Sequence, residues 1–346
     1  MAPVTADAGG ARRKSVPSVG AHFHGLRGYE DHDERRRALT RLAAGGLEWI
    51  RVDLPWRRLQ RSGPDRFNGK LMARTEKIVR MARARGIKVL GTFYGSPSWA
   101  RPDGLEVGPP ANVDDYGRAI RRMAHRFRGR ISAWEIWNEP NHPDYWDGSV
   151  GDYAELLEAA YPKVKAGDPN AKVVSGGTSF NDYHYVRQLY EAGAKGSFDV
   201  LATNAYLAPA DAPPEKADDG NVWTIKAVRR VRAVQRDFAD RRTKIWFTEF
   251  GWSSHENDGT EENWQKGVTL SQQADYARRA LRLIACRFRY VKRAFWYTDR
   301  NHDLAPGADK GEIQRGNYGL LTYGLNPKPV HRTLDRVIER GRVRCG

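Results

Sequence analysis

The feature that most limits what this chain can fold into is a repeated alternation. Eight short runs rich in β-branched and aromatic residues are each followed by a Gly/Pro/Asn-rich stretch and then by a helical pattern. The runs are SVGAHF (18–23), LEWIRVDL (47–54), IKVLGTFY (87–94), ISAWEIW (131–137), KVVSGGT (172–178), FDVLATNAY (198–206), KIWFTEFG (244–251) and KRAFWYTD (292–299). Between them apolar residues recur every three or four positions, as with Tyr116, Ile120, Met123 and Phe127, or Tyr153, Leu156, Leu157, Ala160 and Val164. Strands alternating with helices make βαβ units and a parallel sheet. Eight units suit a closed barrel, and no GxGxxG follows the first run to suggest a dinucleotide fold. The expectation is an α/β protein, a single-domain (β/α)8 TIM barrel over 16–340, with tails at 1–15 and 341–346. A chain of 346 residues accommodates one such barrel of ~250 residues with insertions.

Composition narrows the function. No apolar run approaches the ~20 residues of a membrane span, so no membrane partner is expected. The opening MAPVTADAGGARRKS has no apolar signal region. It reads as the start of a processed secreted protein or as a cytoplasmic start, and secretion is the expectation. The net charge of +16 invites a nucleic-acid reading, but the arginines interleave with apolar residues in DERRRALTRLAA, RAIRRMAHRFR, IKAVRRVRAVQR and ARRALRLIACRFRYVKR. Those are outer faces of amphipathic helices spread along the chain, so no nucleic-acid partner is expected. Cys286 and Cys345 have neither CxxC spacing nor clustered histidines, so no zinc site is expected. A disulfide and two free thiols both remain open, and closeness of the two in space is the prediction.

Polar and aromatic residues collect after the runs, where the strands of a barrel present their active-site end. WEIWNEPN is the sharpest signal: Glu139 closes a strand among tryptophans, and Pro140 turns the chain out of the sheet. An apolar surrounding raises a carboxyl pKa, as a general acid needs. In IWFTEFGWSS, Glu249 closes another apolar strand. Either glutamate alone reads equally well as an ion-pair partner, Glu249 with Arg51 for instance. Two on one rim read as the carboxyl pair of glycoside hydrolysis, ~5–5.5 Å apart in retaining enzymes and further apart in inverting ones. Trp56, Tyr94, Trp99, Tyr145, Trp146, Trp252, Trp264 and Tyr297 occupy the same loops. About half of them are expected to stack on sugar, and the rest to pack the loops. The acidic clusters Asp218-Asp219 and Asp258, Glu261, Glu262 read as solvated loops, so no metal is assigned.

Asn138-Glu139-Pro140 and Thr248-Glu249-Phe250-Gly251 resemble the acid/base and nucleophile motifs of clan A glycoside hydrolases. The resemblance runs from about Gly20 to Ile338 and is greatest to family 39, with family 5 as its neighbour, on GxHxH, WIRVDLPW, SPSWA and WEIWNEPN. It implies a retaining hydrolase of β-linked glycosides, with Glu139 as acid/base, Glu249 as nucleophile and no cofactor. It implies that Asn138 binds the sugar 2-hydroxyl, that Arg51 and Tyr206 hold Glu249, and that Trp296 forms the platform under the reacting sugar. His22 or His24 would contact hydroxyls, and Trp99 and Trp252 join the binding set. Many clan members carry His-x-Tyr where this chain has Asn204-Ala205-Tyr206, so Asn204 takes the place of that histidine in the binding set. The partner is a carbohydrate, and a monomer is expected. A transglycosidase on the same residues and an inactive carbohydrate-binding barrel are the rivals.

Overall fold

The computed structural model describes residues 12–101 and 107–345. Its centre is a closed barrel of eight parallel strands: β1 Ser18–His22, β2 Trp49–Pro55, β3 Lys88–Tyr94, β4 Ala133–Ile136, β5 Lys172–Ser175, β6 Val200–Asn204, β7 Lys244–Phe250 and β8 Val291–Trp296. Each pairs with the next, and Trp296 of β8 lies beside Ala21 of β1 to close the ring. Every expected strand is present, with ends within two residues except at the fifth and eighth, where the apolar runs continue into the loops beyond the strands.

A helix follows each strand: α1 His32–Ala44, α2 Gly69–Arg83, α3 Val113–Arg126, α4 Val150–Gly167, α5 Tyr183–Glu191, α6 Val228–Asp237, α7 Leu270–Arg287 and α8 Pro329–Arg340. Local chemistry starts them where the chain leaves the barrel rim. Ser149 and Asp152 form a capping box on α4, as do Thr269 and Gln272 on α7. One large apolar core lies between strands and helices. A second, small cluster of Trp49, Leu90, Val174, Ala202, Trp246 and Phe295 with their neighbours fills the barrel floor. Gly20 makes room for it, since a Cβ there would stand 2.6 Å from the Phe295 ring.

The two clusters reveal which side chains point to the axis. In β8, Phe295 faces inward and Trp296 faces the helices; in β7, Trp246 faces inward and Ile245 and Phe247 outward. The expected tails are partly structured. Arg12–Ser15 and Arg342–Cys345 form an antiparallel pair outside the barrel. Residues 1–11 and 346 lie outside the described set. Cys286 at the end of α7 is disulfide-bonded to Cys345, with Cα atoms 5.6 Å apart.

Candidate active site

Arg51 on β2 is fully buried, and its guanidinium organises the rim. Nε donates to Glu135 Oε2 at 2.6 Å, Nη1 to Glu249 Oε1 at 2.6 Å, and Nη2 to Asn138 Oδ1 at 2.7 Å. Burial by itself would lower its pKa, but Glu135 and Glu249 more than reverse this, so Arg51 stays charged. Glu135 is itself buried and accepts from Thr92 Oγ1 at 2.6 Å. Asn138 accepts from Arg51 on its oxygen, and its side chain lines the cavity over the two glutamates.

Glu249 reaches that cavity through an irregularity of its strand. Strict alternation would turn it outward with Ile245 and Phe247. The register slips instead: Thr203 opposes Phe247 while Asn204 opposes Glu249, and β8 slips at the same level. Such a bulge re-aims the side chain that follows it. Glu249 then takes a second hydrogen bond on Oε2 from the Tyr206 hydroxyl at 2.8 Å. Burial and the Glu249 charge together keep the Tyr206 proton in place.

Glu139 lies past the end of β4, in a segment where Trp137 and Glu139 have φ of 75° and 46°. A left-handed backbone at non-glycine residues costs roughly 1–2 kcal/mol each and is found where a structure needs the resulting direction. The expected alternation along WEIWNEPN therefore stops at Ile136. Trp137 is buried against Trp146 and Tyr116, while the Glu139 carboxyl faces the cavity. Its Oε1 accepts from Asn204 Nδ2 at 2.8 Å. Burial, then the charge of Glu249, push its pKa up to about 8.

The cavity above these groups has a volume of about 660 Å³. Of the expected binding residues, His22, Arg51, Asn138 and Tyr206 line it with both glutamates. His22 is fixed by Asp53, 2.9 Å from its Nε2. His24 opens instead to the adjoining cavity, with its Nε2 buried and unbonded. Burial, then His22, hold its pKa well below the usual value.

Four expected contacts are corrected. Trp296 cannot be a platform, because it faces the helices, fully buried against Phe250 and Trp252; Tyr297, one residue on, lines the cavity. Trp252 is likewise buried, with its ring N–H donating to Ala212 O at 2.8 Å. Trp99 packs on Trp56 and donates to Gln60 O, away from the cavity. Asn204 is fully buried and bonds Glu139 and Thr248 instead of opening to a substrate. Of the loop aromatics, Tyr94, Tyr145, Trp264 and Tyr297 line the cavity and the other four pack loops.

Asp53, Glu135, Arg27, Gln314 and Tyr318 were missed. Asp53 was findable, since it shares the inward face of β2 with Trp49 and Arg51. Tyr318 lies in a long connection after β8 that no sequence pattern marks. Among the described residues, one group has metal-ligand spacing: His22, His24 and Asp53. Arg51 stands 3.2 Å from His22 and Arg27 3.4 Å from Asp53, so positive charge already borders it and we assign no cation. The acidic loops are paired as well, Asp218 with Arg229 and Arg230, and Asp258 and Glu261 with Lys310.

The model of the cellulase family (glycosyl hydrolase family 5) matches residues 15–281. Endo-1,4-beta-xylanase A of Thermotoga neapolitana is 31% identical over 137 residues, covering 34% of this chain and 12% of the xylanase. A beta-xylosidase of Caldicellulosiruptor saccharolyticus is 26% identical over 110 residues, covering 29% and 22%. The chain thus spans well under two thirds of either relative. Among solved structures, a family 39 glycoside hydrolase from the gut symbiont Bacteroides cellulosilyticus WH2 superposes with a TM-score of 0.73 at 22% identity, over 93% of this chain and 63% of that one. GH5_18 from Streptomyces cattleya, in complex with GlcNAc, gives 0.71 at 18% identity, over 95% and 81%. At these identities the superpositions speak for the barrel.

Proposed function

The chain belongs to the cellulase family, glycosyl hydrolase family 5, and from that premise we propose that it hydrolyses β-linked glycosides with retention of configuration. The observation that carries this reading is the unlike setting of two carboxyl groups on one cavity. Both oxygens of Glu249 receive donors, from Arg51 and Tyr206, an arrangement that suits a carboxylate nucleophile. Glu139 is held protonated near neutral pH, as the leaving oxygen requires. In the first step Glu249 attacks the anomeric carbon while Glu139 gives its proton to the departing oxygen. In the second, Glu139 takes a proton from water as that water displaces Glu249. Asn138 offers its amide to the sugar beside the cleaved bond.

The test separates the two roles. Glu249→Ala is expected to abolish turnover on every substrate. Glu139→Ala is expected to spare the first step on aryl glycosides with good leaving groups, and added azide should then restore turnover and yield a β-glycosyl azide. An α-azide, or substantial activity left in the Glu249 variant, would overturn the assignment.

A further inference from the structure

The arginines are not evenly dispersed. Two adjoining recesses, of about 710 and 480 Å³, run between α7, α8 and the paired terminal strands, and Arg278, Val337 and Arg340 line both. Each of the three elements contributes like charges. Arg278 and Arg282 stand one turn apart on α7, and Arg332, Arg336 and Arg340 form a stripe on α8. Arg342 and Arg344 alternate along the last strand, with Arg13 opposite Arg344 across the pair.

Like charges spaced four apart on a helix, or opposite one another on a strand pair, oppose folding. A solvated basic face needs no such concentration. All eight side chains are exposed, and Arg278 alone among them has a carboxylate partner, Asp275. The floor between them is apolar, with Val337, Val343 and Ala274. The disulfide from Cys286 to Cys345 and the Arg282 Nε bond to Arg344 O at 3.0 Å hold the last strand against α7.

We propose that this groove is a docking site for an anionic polysaccharide, a polymer of carboxylate-bearing sugar units, apart from the catalytic cavity. Every cation in it is a guanidinium, whose planar fork matches a carboxylate through two parallel hydrogen bonds. No aromatic ring lines it, so bases of a single-stranded nucleic acid would find nothing to stack on. A duplex takes protruding helices or ribbons into its grooves, and here the protein presents a recess.

The test is affinity electrophoresis in native gels containing polygalacturonate, with hydroxyethylcellulose and duplex DNA as comparison polymers. The wild-type protein should be retarded by polygalacturonate, less so as salt rises, and its mobility with the neutral polymer, which only the catalytic cavity would hold, should not change on substituting the groove. Arg332→Gln, Arg336→Gln and Arg340→Gln together should weaken binding at least tenfold and flatten the salt dependence. Arg37→Gln, Arg83→Gln and Arg121→Gln, on three other helices, should leave it within twofold. An unchanged melting temperature in both triple variants shows that the fold is intact without recourse to the catalytic reading. Equal losses in the two triple variants, retardation by the neutral polymer that is lost in the groove variant, or tighter binding of DNA that fails in the same variant would each overturn the proposal.

Discussion

Asn204 donates its amide to Glu139 and accepts from Thr248, and is closed off from substrate. Its hydrogen bond favours the charged form of Glu139 and so works against burial and Glu249, which raise the pKa to about 8. In the proposed mechanism Glu139 starts protonated, so activity should fall as pH rises through about 8. Asn204→Ala removes a stabiliser of the carboxylate, the pKa rises further, and the basic limb of kcat/KM moves to higher pH. A hydrogen bond to a charged group is worth ~1.5 kcal/mol, which corresponds to a shift of about one pH unit. A basic limb that stays put in the variant would separate that limb from Glu139. Single-residue identity was the most legible level for the carboxyl pair and the least for its surroundings. Tryptophans near a strand end look alike in sequence. Trp296 and Tyr297 differ only in which way the barrel wall turns them, and the alternation has to be anchored by a core contact such as Phe295 before it can be read.

At the scale of elements, strand and helix order was readable because period-two and period-three-to-four patterns alternate cleanly. What escaped was every departure from regularity, and the site is made of departures: the bulge before Glu249, the left-handed turn at Trp137 and Glu139, and the break after β5. That break matters to the chemistry. The pairing of β5 with β6 is limited to Val174 against Val200, and the chain resumes beside β6 only at Thr178–Ser179. In the gap, Gly177 accepts from the Glu139 backbone N–H at 3.0 Å and donates to Glu135 at 3.2 Å. A Cβ at Gly177 would lie 2.3 Å from Thr248 Oγ1 and 2.6 Å from Asn204 Oδ1. Gly177→Ala must therefore push on Asn204, which bonds Glu139, and on Thr248, which bonds Asn204. The variant should lose ~1–3 kcal/mol of stability, as overpacking does, and at least tenfold in kcat. Urea unfolding and steady-state kinetics on one aryl glycoside measure both. A kcat equal to wild type would mean the contact is slack.

At the scale of the whole molecule, the sequence left the two cysteines undecided because spacing cannot say where a tail lies. The same ignorance hid the arginine groove, since residues 13, 282, 336 and 344 converge only after the barrel closes. The disulfide spans 59 residues, for which the chain-entropy relation gives about 4 kcal/mol. Cys345→Ser, or a reductant, should lower the unfolding free energy by ~2–5 kcal/mol in urea, while kcat at 25 °C is unchanged because the bond is remote from the cavity. Loss of activity in the folded variant would contradict that independence. The paired terminal strands carry a broader consequence. Arg12 stands directly across from Cys345, so the strand before the first unit lies beside the strand after the eighth and the order of units runs nearly full circle. A short linker from Cys345 to Arg12 would join those two strands, and the exposed turn after α5, where a side chain at Gly193 or Gly196 would meet open space, offers a place to open the polypeptide on the face away from the glutamates. A circularly permuted polypeptide with that opening would present the same rim, for what the site requires is the order of units around the ring and not which of them is made first.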